Sequence, residues 1–258
     1  MFEHVVAVEK ETLDEKDHSR LTSEHELARA YLDDGRIKDA IEMIEHVVAV
    51  RKETLDEKDH SRLTSEQVLA RAYLDDGRTE DAIEMIEHVV AVRKETLDEK
   101  DHERLTSEHE LARAYLDDGR IKDAIEMFEH VVAVEKETLD EKDHSRLISE
   151  QVLATAYLDD GRIKDAIEMI EHVVAVRKET LDEKDHERLT SEHELARAYL
   201  DDGRIKDAIE LLEHVVAIEA KMLAEDDPSR QLSVSLLQDC FEELEAAYDD
   251  SDIRGIGD

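Results

Sequence analysis

The sequence predicts an all-α fold, a right-handed α-solenoid of antiparallel helix pairs, and three observations carry that prediction. One block of residues recurs five times at a strict period of 42, marked by Gly35, Gly77, Gly119, Gly161 and Gly203. Apolar residues within each block fall at helical spacing. The 258 residues include one proline, seven glycines and no tryptophan, a composition rich in helix formers and poor in the turn residues a sheet protein needs.

The period divides the chain. Residues 1–18 match the second part of a unit, so the chain is expected to open inside a helix that belongs to a preceding repeat. Five full repeats follow at 19–60, 61–102, 103–144, 145–186 and 187–228. Residues 229–250 keep the Ser-Arg opening and place Phe241 where the repeats carry Tyr199, and are expected to form a diverged closing helix; 251–258 are expected to be a tail. An array of this kind has no single core, because each repeat packs on its neighbours, so one continuous domain over 1–258 is expected.

Inside a repeat, Leu21, Leu27, Ala28, Tyr31 and Leu32 lie on one side of a first helix, helix A. Asp33-Asp34-Gly35 ends it, since glycine takes the left-handed conformation that satisfies the last carbonyls. Helix B follows with an apolar stripe of Ile37, Ala40, Ile41, Ile44, Val47, Val48 and Leu55, leaving Glu42, Glu45, Arg51, Lys52 and Glu53 for the wet side. The connector Asp56 to His60 is polar, and Ser61 is expected to cap the next helix A.

Several function classes are disfavoured. A net charge of −37 argues against nucleic acid, which is bound by releasing counterions from a basic face. No apolar run approaches membrane-spanning length and no signal peptide opens the chain, so no membrane partner is expected. Cys240 is the only cysteine, which excludes an intrachain disulfide and suits a reducing, cytoplasmic setting. The fourteen histidines recur as His25, His46 and His60 without the short spacing of a metal site, and His46 reads as a surface residue multiplied by duplication. No phosphate loop or single constellation of unlike residues is present, so no catalytic residue, metal or cofactor is expected. Cys240, between Leu237 and Phe241, reads as a buried small side chain.

Leu27, Ala28, Tyr31, Gly35, Ile37, Ala40, Ile44 and Val47 fall at the spacing of the tetratricopeptide pattern, which the chain resembles over nearly its whole length. Eight residues beyond the usual 34 lie after Val48 and lengthen helix B, as in the repeats of kinesin light chains. The wording of the unit is also similar to C-terminal repeats of fungal nucleotide-binding immune-type receptors. The connector carries Asp59-His60 where those relatives have His-Pro; only Asp227-Pro228 keeps the proline.

Differences between the copies are few, and three of them recur one turn apart on helix A. The resemblance implies that this stripe faces the groove where peptides bind. The candidate positions are Thr22, His25, Arg29 and Asp33; Thr64, Gln67, Arg71 and Asp75; Thr106, His109, Arg113 and Asp117; Ile148, Gln151, Thr155 and Asp159; and Thr190, His193, Arg197 and Asp201. Each arginine is expected to be held by the aspartate one turn along its own helix. Neutral drift at exposed sites is the competing explanation, and it touches helix B at Lys38, which becomes Glu80, and at Arg51, which becomes Glu135. Val68 and Val152 accompany Gln67 and Gln151, which also fits a co-inherited repeat variant.

The implied function is non-enzymatic binding of a protein or peptide segment, basic in view of the acidity, as the sensing region of a fungal immune-type receptor. A designed or excised scaffold without a selected ligand and a kinesin-light-chain-like cargo adaptor are the alternatives. The chain is expected to be a monomer or to associate weakly end to end through Val5, Val6 and Val8.

Overall fold

A computed structural model describes residues 2–254, with side chains through residue 247. Among the described residues the chain forms α-helices and no strand. In order these are α1 (Phe2–Thr12), α2 (His18–Asp33), α3 (Ile37–Thr54), α4 (His60–Asp75), α5 (Thr79–Thr96) and α6 (His102–Asp117). Then come α7 (Ile121–Thr138), α8 (His144–Asp159), α9 (Ile163–Thr180), α10 (His186–Asp201), α11 (Ile205–Met222) and α12 (Pro228–Arg254). Residues 251–254 of the expected tail are therefore helical, and 255–258 lie outside the described residues.

Two compact units divide inside α7, at Met1–Val134 and Glu135–Asp258. In the first, α1 packs on α2, α2 on α3, α3 on α4, α4 on α5 and α5 on α6; in the second, α8 packs on α9, α9 on α10, α10 on α11 and α11 on α12. Within each unit a helix thus meets the one before and the one after it, which is the layout of an α-solenoid of helix pairs.

The turn between helices A and B follows from its glycine. Gly35 has φ of 72°, and the left-handed turn lets Arg36 N–H reach the Tyr31 carbonyl at 2.8 Å and Gly35 N–H the Leu32 carbonyl at 3.0 Å. No atom stands within 4 Å of a Cβ built on Gly35, so backbone strain alone selects glycine there. At the other end of helix A the expected cap is corrected. Asp59, not Ser61, caps α4, its carboxylate accepting from Ser61 N–H at 2.8 Å and Arg62 N–H at 3.2 Å. Helix B's extension is matched by the first turns of helix A, since Leu63 packs on Val89 and Val92, and Leu189 on Val215 and Ile218.

Some residues expected on the wet side are buried. Arg51 is 4 % exposed, and Arg93, Arg177, Glu135 and Glu219 at the same register are buried too, so the change from Arg51 to Glu135 is not drift on an outer face. Cys240 is fully buried, which pushes its thiol up.

The first and last helices differ from their internal counterparts. Phe2, Val5 and Val8 are exposed, whereas Ile44, Val47 and Val50, one period on, are buried; Val6, expected to be open, is only 3 % exposed. In α12, exposed Gln231, Gln238 and Glu242 stand where α2 buries Leu21, Ala28 and Leu32.

Candidate ligand-binding cleft on the helix-A face

At about 100° per residue, Thr64, Gln67, Arg71 and Asp75 of α4 lie on one flank of the helix, and Arg62, Glu66 and Tyr73 lie roughly half a turn away. The two flanks have different chemistry. On the first, a cleft of 410 Å³ opens between neighbouring repeats, lined by Arg71, Leu74, Asp75, Ile86, Glu110, Arg113 and Asp117. Its floor is apolar and its rim carries both signs of charge. Arg71 and Arg113 remain exposed, as do Asp75 and Asp117. Burial pushes the Glu110 carboxyl up from its ordinary value, a rise opposed by the hydrogen bond from Gln67 and by the Arg93 charge.

The arginines of this flank are held differently from the expectation. Arg71 Nη2 lies 3.6 Å from Asp33 and Arg197 Nη2 lies 3.5 Å from Asp159, so each aspartate belongs to the preceding repeat rather than to the same helix. Arg29 pairs instead with Glu26, at 3.6 Å. The hydroxyls of Thr22, Thr64, Thr106 and Thr190 donate to carbonyls of their own helix at 2.8–2.9 Å. Thr155 likewise donates to the Gln151 carbonyl at 3.2 Å, and Ile148 is half-buried. Asp33, Asp117, Asp159 and Asp201 are exposed.

The middle of the stripe turns inward. His25 is 5 % exposed and its Nδ1 lies 3.1 Å from Ser65 Oγ of the next repeat. Burial, reinforced by the Arg51 charge, pushes its imidazole down to about 4. His109 is half-buried edge-on against Phe128, with ring centroids 5.2 Å apart, and is pushed down to about 4 by burial and then by Arg113. Gln67, Gln151 and His193 are also half-buried; Gln67 engages Glu110 of the next repeat and His193 engages Ser233 of α12, while Gln151 accepts from Arg177 of its own repeat. Of the expected site residues, the structure therefore brings Arg71, Asp75, Arg113 and Asp117 to the cleft rim and takes His25, Gln67 and His193 into contacts with the following repeat or closing helix.

The opposite flank holds a cluster that the sequence reading did not single out. Glu66 is fully buried, yet Arg62 Nε donates to its Oε1 at 3.0 Å, Lys52 of the preceding helix B lies 3.6 Å from the same oxygen, and His88 Nε2 lies 3.5 Å from Oε2. His88 Nδ1 faces Glu57 of the connector at 3.7 Å. The arrangement recurs around Glu24, Glu108, Glu150 and Glu192, all 0 % exposed. His46 is accordingly half-buried and set between Glu15 and Glu24 rather than on a bare surface. Beside it, the Arg78 guanidinium lies 3.7 Å over the Tyr73 ring, and Tyr73 donates to Glu45 of the preceding repeat at 2.8 Å. Burial first, then the hydrogen bond to its glutamate, pushes the equivalent Tyr115 and Tyr199 up to about 12. A signal was present, since Glu24 sits three residues after Leu21 and four before Ala28, inside the apolar face rather than beside it.

Three helices meet at each of these carboxylates, so the cluster fixes repeats to one another. No group of three or more metal-ligating side chains converges among the described residues.

A profile of the tetratricopeptide repeat matches residues 19–95, 61–137 and 144–219. The chain belongs to the tetratricopeptide repeat family. No curated protein matches it. Among solved structures, it is 45% identical to nearly identical TPR-like repeats of a putative kinesin light chain from Podosopora anserina, covering 80% of this chain and 98% of that one with a TM-score of 0.71. A single-substitution form of the same fungal protein matches at 45% identity over 81% of this chain and 98% of that one, with a TM-score of 0.72. BtubC (BKLC) from P. vanneervenii shares the fold at 17% identity and a TM-score of 0.69, covering 88% of this chain and 94% of that one. Tetratricopeptide repeats generally mediate protein–protein interaction and are typically non-catalytic scaffolds, and the kinesin-light-chain type of repeat is the one matched here. No helix among the described residues is long and apolar enough to cross a membrane.

Proposed function

We propose that this protein binds a polypeptide segment along the helix-A face and carries out no reaction itself. The observation that supports the reading is the cleft between α4 and α6. There an apolar floor of Leu74 and Ile86 is rimmed by two exposed guanidinium groups, Arg71 and Arg113, and two exposed carboxylates, Asp75 and Asp117. Guanidinium groups hold a peptide's carbonyls or carboxylates in a fixed fork geometry, and the aspartates receive its basic side chains. With a net charge of −37, a basic segment is favoured by long-range attraction.

The likeness to the fungal putative kinesin light chain supports a cargo-adaptor reading. A sensing role in a fungal immune-type receptor rests on the wording of the repeat unit. The single buried thiol at Cys240 suits a cytoplasmic setting. Exposed Val5 and Val8 on α1 favour weak self-association, opposed by the negative charge and strengthened by salt.

Labelled extended peptides of basic, neutral and acidic composition test the site directly. The basic set is expected to bind best, with affinity falling as salt rises. R71A/R113A is expected to lose at least tenfold in affinity, while E84K/E126K on helix B changes it by less than about threefold, because exposed charges distant from a contact act mainly through screened attraction. Equal losses from both pairs would mean non-specific attraction, and no binding by any set would leave a scaffold without a selected ligand.

A further inference from the structure

The half-buried positions of helix A, left out of the binding face, follow a rule across the array. Repeats that carry His-Glu (His25-Glu26, His109-Glu110, His193-Glu194) alternate with repeats that carry Gln-Val (Gln67-Val68, Gln151-Val152). One period and one residue after each His stands an apolar residue: Val68, Val152 and, in α12, Leu236. Every Gln is followed by a glutamate, Glu110 or Glu194.

Two kinds of contact correspond to this alternation. Where Gln67 meets the third repeat, its Nε2 donates to Glu110 Oε2 at 2.6 Å and its Oε1 accepts from Arg93 at 2.7 Å. Ser107 of that repeat then turns back to its own helix, donating to the Arg104 carbonyl at 2.8 Å. Gln151 likewise accepts from Arg177, and Ser191 donates to the Arg188 carbonyl at 2.9 Å. Where His25 meets the second repeat, the serine contacts the neighbouring repeat as well, while donating to the Ser61 carbonyl of its own helix at 3.1 Å. Ser65 Oγ lies 3.1 Å from His25 Nδ1 and accepts from Arg51 at 2.6 Å. His193 and Ser233 repeat that geometry at 3.2 Å.

The helix-B residue at this contact obeys the same division. Arg93 and Arg177 follow Gln67 and Gln151, whereas glutamates, Glu135 and Glu219, occur only after His109 and His193. The chemistry explains the exclusion. Gln67 uses its carbonyl on Arg93 and its amide on Glu110, so a glutamate in place of Arg93 would set two carboxylates and a carbonyl against one another. A valine in place of Glu110 would leave the half-buried Gln67 amide without that acceptor, which is costly. A lone glutamate opposite His25 would lack the amide that satisfies it.

We propose that the residues equivalent to His25, Glu26 and Arg51 form an adjacency code, two interface chemistries that make a repeat of one kind dock only against a repeat of the other. The partner each repeat face fits is a repeat of complementary kind, and the variation among the copies is set by neighbours in the array rather than by ligand.

Unfolding midpoints of the full chain test the code. Q67H and E110V are each expected to lower the melting midpoint by about 2–4 °C. The pair Q67H/E110V, which rebuilds the pairing of His25 with Val68, is expected to return close to the parent value. Losses that simply add in the pair would overturn the proposal. Independently, R51E is expected to leave the midpoint near the parent, because Glu219 occupies that register beside His193, while R93E lowers it by several degrees; equal effects of R51E and R93E would overturn the proposal even if a valine or histidine variant failed to fold.

Discussion

The two flanks of helix A teach opposite lessons about sequence identity. On the flank of Glu24, Glu66, Glu108, Glu150 and Glu192, every full repeat carries the same arginine four residues earlier and the same histidine on helix B. A buried carboxylate held by bases from three helices tolerates no member's loss, since the others would be left as uncompensated charge. On the other flank the exposed residues of the cleft rim carry little of the fold, and the half-buried ones vary in step with their neighbours. Sameness on the first flank therefore marks what holds a repeat to its neighbours, and variation at the half-buried positions of the second marks what selects neighbours, while the exposed rim aspartates Asp33, Asp75, Asp117, Asp159 and Asp201 are the same in every copy.

The largest expected effect breaks the constant flank. E66A removes the carboxylate that accepts from Arg62 and stands beside Lys52 and His88, and is expected to cost about 3–5 kcal/mol, read as a fall in the urea midpoint of the chain. A cost below about 1 kcal/mol would show that the cluster is an ordinary surface network.

A smaller effect comes from acidification. His25 is held neutral by burial and by Arg51, down at about 4 against an ordinary value of 6.5. The unfolded chain takes up this proton first, so stability is full above pH 6.5 and is lost as pH falls toward 4. For His25 alone the loss is on the order of 3 kcal/mol at the acid end. His109 and His193 act in the same direction. Glu110 and Glu194, pushed up by burial, act in the opposite one, favouring the folded state as they protonate. Urea midpoints at pH 7 and pH 5 are expected to differ, with the gap narrowed in H25N; the same gap in H25N would remove His25 as a source.

The smallest effect is expected at the surface. Lys58 and Glu95 are 3.1 Å apart but both largely exposed, so K58A is expected to change stability by less than about 0.5 kcal/mol. A loss comparable to that of E66A would contradict the division between flanks.

Much of the architecture was legible because it rests on local rules. The 42-residue period, the apolar spacing of Leu27, Ala28 and Tyr31 and the left-handed Gly35 fix the helices and their turn. The cap was misassigned because Asp59 and Ser61 are both good capping residues two positions apart, and only the backbone path selects the aspartate. Arg51 and Glu24 were harder, since a pattern drawn within one helix reads a charge as exposed. Arg51's partners come from the next repeat, and of Glu24's only Arg20 shares its helix, Lys10 coming from the preceding helix B and His46 from the following one. His25 fell on the expected binding stripe for the same reason: spacing gives its side of the helix, but the serine and arginine that enclose it lie beyond its own helix.

The division between the flanks is tested most directly by measuring affinity and stability together in one variant, R71A/R113A. A binding face distinct from the cohesive one predicts that affinity for a basic peptide falls at least tenfold, about 1.4 kcal/mol, while the melting midpoint stays within about 1 °C of the parent. A lowered midpoint with unchanged affinity would contradict it, placing these arginines among the contacts that hold the repeats together.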